Sequence, residues 1–308
     1  MIYTCTITPS IDYTTYLPTF RTGDLNRTEH VAYYPGGKGI NVSRVLSRLR
    51  ADTTALGFVG GFTGGYIETF LQNEGILTDF VHTSETTRIN VKIKADEETE
   101  INGPGPVLEE RLQAQLFSKL QSLQQGDTFV LAGRIPNSIP DAFLDKVGEL
   151  CQSRGVHFVV DTSGPRLKKL AKQQPFLMKP NQEELGEMFD TTIHDRHEAH
   201  ACAEQLVAQG ITNVIVSMGG AGALFVNSET AVAAVAPEGH VQNTVGAGDS
   251  VVAGFLAFYE KGASVKDAFQ FGVACGSATA FSTDLCERQQ AEALRQTVKL
   301  STMNKDVR

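Results

Sequence analysis

From residue 107 onward the chain settles into a regular alternation of helical and strand segments, and that rhythm leaves few folds open. Helices are expected near 108–124, 138–154, 181–189, 195–209, 249–261, 264–281 and 288–299, and strands near 127–132, 156–161, 175–179, 213–217, 222–227 and 230–235. Such alternation predicts an α/β architecture with a mainly parallel sheet and helices on both faces, because each helix carries the chain back across the sheet to the next strand.

The N-terminal part carries the same ingredients with two exceptions. A strand at Ile2–Ile7, a helix opened by Pro35-Gly36-Gly37 and running to about Arg50, a strand at Thr53–Val59, and a Gly60–Gly65 turn into a helix ending near Asn73 all suit the α/β body. Val42, Val45, Leu46 and Leu49 recur at helical spacing and mark a buried face. The exceptions are β-rich. Residues 11–34 read as two short strands and a turn, broken at Pro18 and Gly23-Asp24. Residues 87–101 alternate: Arg88, Asn90, Lys92 and Lys94 fall on one face, and Ile89, Val91 and Ile93 on the other. A turn at Asp96-Glu97 and a short return strand at Thr99–Ile101 follow. Segments 11–34 and 87–103 are therefore expected to form a small separate sheet inserted into a single domain spanning residues 1–308. The polar stretch Ser301–Arg308 is expected to fray.

Composition removes several functions. A net charge of −8 provides no broad basic surface for nucleic acid or an anionic membrane, though it leaves room for a small basic pocket. No run of about 18 apolar residues offers a membrane span, and the first strand lacks the length and flanks of a signal peptide. Cys5, Cys151, Cys202, Cys275 and Cys286 are dispersed with no Cys-x-x-Cys, which points to reduced thiols in a cytoplasm. His194, His197 and His200 recur at i, i+3, i+6. No cysteine or carboxylate set completes a metal sphere around them, so they read as an exposed face.

Four short constellations carry chemistry. Residues 243–250 read Asn-Thr-Val-Gly-Ala-Gly-Asp-Ser and lead straight into an amphipathic stretch, Val251–Tyr259. Glycines that turn amides inward, placed at a helix N-terminus, make a seat for a phosphate. A carboxylate there, Asp249, suits a base that takes the proton of a hydroxyl attacking that phosphate. The plain alternative is a helix start capped by Asp and Ser. Gly36-Gly37-Lys38-Gly39-Ile40-Asn41 is not a Walker A loop, because position 32 is Ala and no Ser or Thr follows the lysine. It gives close backbone access, a point charge for a phosphate and an amide for hydroxyls; a loop with a solvated lysine is the alternative. Lys179-Pro180-Asn181-Gln182-Glu183-Glu184 places Asn181 and Glu184 at i, i+3, which suits a capping box or a sparse, water-rich Mg²⁺ site. Ser217-Met218-Gly219-Gly220-Ala221-Gly222 at a strand end is a hairpin turn or a backbone platform for a nucleotide. No Gly-x-Gly-x-x-Gly occurs, so a dinucleotide-dependent dehydrogenase is disfavoured.

Gly-Ala-Gly-Asp before a C-terminal helix, Gly-Gly-Lys-Gly-x-Asn near the N-terminus and Asn-x-x-Glu between them occur in that family's order. On these motifs the chain resembles the ribokinase-like carbohydrate kinase family, also called the phosphofructokinase B family, from its first strand to about residue 300. The resemblance implies a three-layer α/β/α body with a small β-sheet lid, and ATP and Mg²⁺ as cofactors. By position it implies Asp249 as catalytic base and Gly246, Ala247 and Gly248 as an anion hole. Asp12, Gly37, Lys38 and Asn41 would contact the sugar, and Arg88 with Asn90 would grip its phosphate. Arg27 would stand in the lid, where relatives carry a basic residue that in some reaches a neighbouring subunit. Lys179, Asn181, Ser217, Gly219, Gly222 and Gly248 would line the nucleotide side, and Asn181 and Glu184 would meet the metal through water. Gly133-Arg134 departs from the Ser usual after this glycine; Arg134 either contacts the phosphate or points outward.

The segments 6–12, 87–92 and 99–104 look most like the branch that phosphorylates D-fructose 1-phosphate at C6 to the 1,6-bisphosphate. The branch acting on tagatose 6-phosphate is next, and a sugar-phosphate sensor on the same fold is the non-enzymatic alternative. The apolar side of the 87–94 strand, in a lid one sheet thick, is expected to pack against a second copy in a homodimer.

Overall fold

The computed structural model describes residues 1–303, and two sheets divide the work. The first half supplies β1 (Ile2–Thr6), β2 (Ser10–Tyr16), β3 (His30–Gly36), α1 (Lys38–Arg48), β4 (Thr53–Val59), α2 (Gly61–Asn73), β5 (Leu77–Thr78), β6 (Val81–His82), β7 (Arg88–Lys94), β8 (Glu98–Asn102), α3 (Glu110–Leu120), β9 (Thr128–Ala132) and α4 (Asp141–Arg154). The second half supplies β10 (His157–Asp161), α5 (Arg166–Ala171), β11 (Leu177–Met178), α6 (Gln182–Met188), α7 (Arg196–Ala208), β12 (Asn213–Ser217), β13 (Ala223–Asn227), β14 (Ala231–Val235), α8 (Ala247–Tyr259), α9 (Val265–Ala280), α10 (Arg288–Arg295) and β15 (Lys299–Thr302).

The large sheet runs β15-β14-β13-β12-β11-β10-β9-β1-β4-β5, with β6 also on β4. Every pairing from β12 to β5 is parallel, and β13, β14 and β15 add antiparallel ladders at one edge. Alternate residues of a strand face opposite cores. Phe129 and Leu131 of β9 join one cluster with side chains of α3, α4 and α7. Val130 and Ala132 join the other, with α1, α8 and α9. Burial on both faces explains why these strands read as continuous apolar runs. From β1 the chain winds one way to β4, and from β9 the other way to β12. The strand order therefore reverses between β1 and β9, and a crevice opens outside their carboxyl ends, where open α/β sheets bind ligands.

The second sheet has four strands in the order β3-β2-β7-β8. It joins the two β-rich segments: β2 pairs parallel with β7, and β3 and β8 flank them antiparallel. Registers put Asp12, Asn90 and Asn102 on one rung and Thr14, Lys92 and Glu100 on the next. On the opposite face Tyr33, Tyr13, Val91 and Ile101 share a rung. That face is partly bare: Ile89 is 40% and Ile101 57% exposed, whereas Ile93 is already buried within the chain at 6%.

Several boundaries depart from expectation. The helix expected over 288–299 stops at Arg295, and Lys299–Thr302 instead adds an edge strand to β14. Val298 is buried between them, and the edge of β14 gains a partner for its ladder. Ser301 and Thr302 are thus ordered in a strand, while residues 304–308 lie outside the described residues. The helix expected from 108 begins at Glu110 and ends at Leu120, and the one expected from 138 begins at Asp141. No turn precedes α2, which starts at Gly61. Gly60 is needed there for close approach instead: a Cβ on it would lie 2.2 Å from the Glu85 carbonyl. The short helix α5 has no counterpart in the sequence reading.

Candidate active site

Two clefts meet in the crevice. A polar one of about 630 Å³ lies between the lid and the ends of β1, β9 and β10; a second, of about 680 Å³, lies between the turn after β12 and the start of α8. Asn181, Ser217 and Gly248 line both. A group bound in one cleft therefore faces a group bound in the other across the first turn of α8.

That turn is built by Gly246, which precedes α8 with φ +79°. A Cβ there would lie 2.5 Å from Leu285 Cδ2, so both backbone conformation and packing require glycine. No side chain caps α8. Ser250 Oγ instead donates to the Gly246 carbonyl at 2.8 Å, which removes the plain alternative of an Asp/Ser cap. The first amides of a helix have no partner within it, so Gly248 and Asp249 present theirs at the junction. Asp249 is buried and its Oδ2 accepts from Asn41 Nδ2 at 2.8 Å. Burial first, and then the charge of Asp161, push its carboxyl up to about 6, against the pull of Lys38, Asn41 and Lys179.

Asp161, at the end of β10, is a polar residue of the site that the sequence did not single out. It is fully buried, and its Oδ1 lies 3.0 Å from Lys38 Nζ and 3.3 Å from Lys179 Nζ. Burial opposes its charge, but the two ammonium groups outweigh burial and hold the carboxyl below the usual range. Lys38 opens α1 directly after Gly37. Burial works against its charge too, yet Asp161, Asp249 and Glu184 keep it protonated well beyond an ordinary lysine. An apolar strand ending in a carboxylate, His157–Asp161, was the available signal.

Asn181 and Glu184 form a reciprocal capping box on α6: Glu184 N donates to Asn181 Oδ1 at 2.7 Å and Asn181 N to Glu184 Oε2 at 2.8 Å. Glu184 Oε1 is left over, 3.9 Å from Lys38 Nζ and on the cleft wall. One free carboxylate oxygen fits a magnesium ion that keeps its waters and leans on phosphate oxygens. It does not fit a protein cage, and no group of three or more His, Cys, Asp or Glu among the described residues forms one.

The lid supplies the far wall of the polar cleft. Asp12 Oδ1 accepts from Ser10 Oγ at 2.8 Å and from Asn90 Nδ2 at 3.0 Å. Arg88 donates to the carbonyls of Thr8 at 3.3 Å and Gly103 at 3.4 Å, and has no acidic partner in ion-pair reach among the described residues. Burial, with the like charge of Arg134 added, lowers its pKa despite Asp12. Arg134 is exposed and is among the residues lining the cleft. Lys92, on the strand face expected to meet the sugar but given no role of its own, is also in the wall. Arg27 is not: it is exposed in the connection between β2 and β3 and lines neither cleft.

The second cleft is apolar, with Val241, Val251, Val273 and Phe281 around a floor of Gly219, Gly220 and Gly222. A short 3₁₀ turn, Gly219–Ala221, forms that floor. Ser217, Gly219 and Gly222 are where the nucleotide side was expected, whereas Lys179 sits on the polar side, beside Gly248. Val241, Val273 and Phe281 were missed because nothing separates them from ordinary core residues in sequence. No helix among the described residues is long and apolar enough to cross a membrane, and all five cysteines are free and buried.

Residues 5–291 match the profile of the pfkB family of carbohydrate kinases. The chain is 48% identical over 303 residues to a 1-phosphofructokinase of Bacillus subtilis, covering 98% of this chain and all of that one. It is 36% identical over 287 residues to a D-tagatose-1-phosphate kinase of Bacillus licheniformis, covering 92% and 94%. The structure of phosphofructokinase-2 from Escherichia coli in complex with fructose-6-phosphate superposes with a TM-score of 0.90 at 30% identity, covering 96% of this chain and 98% of that one.

Proposed function

The chain belongs to the pfkB family of carbohydrate kinases, and on that premise we propose that it transfers a phosphoryl group from ATP to the C6 hydroxyl of D-fructose 1-phosphate, giving fructose 1,6-bisphosphate and ADP. The observation that carries this reading is the position of Asp249, on the polar side of a junction shared by a polar and an apolar cleft. The apolar cleft takes the nucleoside, and the polar cleft the sugar phosphate. Arg88 and Arg134, two guanidinium groups in one wall, grip the phosphate. Asp12, Asn90, Asn41 and Gly37 meet the sugar.

Asp249 receives the proton of the attacking hydroxyl, and its raised pKa brings it closer to the working pH of such a base. The amides of Gly246 and Gly248 hold charge on the transferring group, whereas that of Ala247 already donates to the Thr244 carbonyl at 3.3 Å. Lys38 and Lys179 add cationic charge beside it, kept in place by Asp161. Asn181 and Glu184 would hold a magnesium ion through water, and the ion would supply charge neutralisation for the phosphate oxygens. The lid excludes water, which would otherwise compete as acceptor.

The chain acts as one kinase domain with residues 11–34 and 87–103 as its lid. Ile89, Ile101 and Tyr33 remain exposed on the outer lid face, which supports a homodimer closed lid to lid. In that dimer Arg27, idle in one chain, is placed to approach the partner. Five unpaired thiols support a reducing, cytoplasmic setting.

Release of ADP with a panel of sugar phosphates tests the reading. Fructose 1-phosphate is expected to give the highest kcat/KM, above tagatose 6-phosphate, tagatose 1-phosphate and fructose 6-phosphate. A higher value for any of these reassigns the substrate, and tight binding of a sugar phosphate without ADP release would make the protein a sensor.

A further inference from the structure

We propose that Lys92 is a positioning residue for sugar recognition: it fixes the Asp12 carboxylate through which ring hydroxyls are read, and thereby sets which ketohexose phosphate is accepted. This rests on the polar cleft being the sugar-phosphate site.

Five cations line that cleft, and they are compensated differently. Lys38 and Lys179 share the buried Asp161. Arg88 and Arg134 have no carboxylate in ion-pair reach among the described residues, which leaves them open to a phosphate. Lys92, 8% exposed, has two carboxylates: its Nζ lies 3.4 Å from Asp12 Oδ2 and 3.8 Å from Glu100 Oε1. Its charge is already matched, so gripping a second anion is not its role. Glu100 faces it directly across the β7–β8 ladder, and Asp12 lies one rung nearer the body on β2.

The consequence falls on Asp12. Two donors, Ser10 and Asn90, already occupy Oδ1. Oδ2 has the Lys92 ammonium alone and keeps a lone pair for a hydroxyl. Removing that ammonium would leave Asp12 and the exposed Glu100 at successive positions of one sheet face with no cation between them. Asp12 would then turn away or lose its preference for a hydroxyl donor. Ketohexose phosphates differ from one another in just those hydroxyls and in which end carries the phosphate, so their discrimination depends on where Oδ2 points.

Steady-state kinetics of Lys92→Met, Lys92→Arg, Asp12→Asn and their combinations test this. Lys92→Met is expected to raise the KM for fructose 1-phosphate about tenfold or more, with kcat within about threefold and the KM for ATP unchanged, the pattern of lost ground-state binding. Its preference for fructose 1-phosphate over tagatose 1-phosphate, the epimer at one ring hydroxyl, should shrink by a similar factor, and Lys92→Arg should restore most of both. In the Asp12→Asn background Lys92→Met should add less than about twofold, because the two residues act as one unit. An unchanged sugar KM, or a Lys92 effect of full size in that background, overturns the proposal. If Lys92→Met does not fold, Lys92→Gln carries the cycle: an unchanged sugar KM, or a change that Asp12→Asn leaves undiminished, overturns the proposal equally. Failure of the substrate reading looks different, since wild type would then prefer another sugar phosphate, and the cycle is read on that sugar.

Discussion

Lys38 and Asp161 form an ion pair at 3.0 Å across 123 residues of sequence, tying the start of α1 to the end of β10. The same Asp161 oxygen meets Lys179 at 3.3 Å. One buried carboxylate thus holds two ammonium groups beside the first turn of α8.

Asp161→Asn removes that shared counter-ion and leaves two cations facing each other. Breaking a buried pair from one side costs about 3–5 kcal/mol. Denaturant unfolding at neutral pH should show a loss of that order, and kcat should fall with it. Asp161→Asn with wild-type stability and turnover would mean that the two lysines hold their places unaided.

Asp249 should titrate near its raised value of about 6 rather than as an ordinary aspartate. Carbon-detected NMR of the free enzyme should show one carboxyl with that midpoint, absent from Asp249→Asn. In Asp161→Asn the midpoint should fall, since the Asp161 charge is one of the causes that raise it. The effect on stability has a definite sign. A carboxyl whose folded pKa is raised favours the folded state below its unfolded pKa, near 3.8, and that contribution is lost as pH rises through about 6. At pH 7.5, Asp249→Asn should therefore be more stable than wild type, by on the order of 2–3 kcal/mol. A midpoint below 5, or a destabilised variant, contradicts this.

Arg88→Ala should weaken fructose 1-phosphate far more than ATP. The guanidinium stands in the polar wall and is absent from the apolar cleft. Equal rises in both apparent constants would show that Arg88 supports the lid as a whole instead of gripping the sugar phosphate.

Ile89→Asp with Val91→Asp should convert a dimer to monomers and raise the sugar KM through a displaced lid. Each buried aliphatic side chain is worth about 1.5–3 kcal/mol. Ile93 is already covered within the chain, so the interface draws on Ile89, Val91 and the neighbouring Ile101 and Tyr33. Light scattering that gave a monomer for wild type, or a dimer for the double variant, would refute the assembly.

Periodicity located the α/β body and the small separate sheet, because parallel strands buried on both faces and a half-buried strand leave different patterns. The glycine turn at 246–248 and the Gly37-Lys38 helix start were legible for a similar reason: few residue types tolerate such backbone geometry. Asp161 was not assigned, and Lys92 only as part of a polar strand face. Their roles come from partners far away in sequence, Lys38 and Lys179 for one, Asp12 and Glu100 for the other, and no local pattern encodes such pairs. The strand Lys299–Thr302 was hidden because its polar residues read as a fraying end, and pairing with β14 overrides that. Arg27, expected at the sugar side, is exposed and lines neither cleft.

Quench-flow measurement of phosphoryl transfer in Asp249→Asn, alongside the Kd for fructose 1-phosphate, tests the central claim most directly. The Asn side chain can still accept from Asn41, so binding should stay within about threefold of wild type. The transfer step should slow by about two to four orders of magnitude, the usual worth of a positioned general base. Transfer at more than about a tenth of the wild-type rate, with chemistry limiting, would contradict Asp249 as the base.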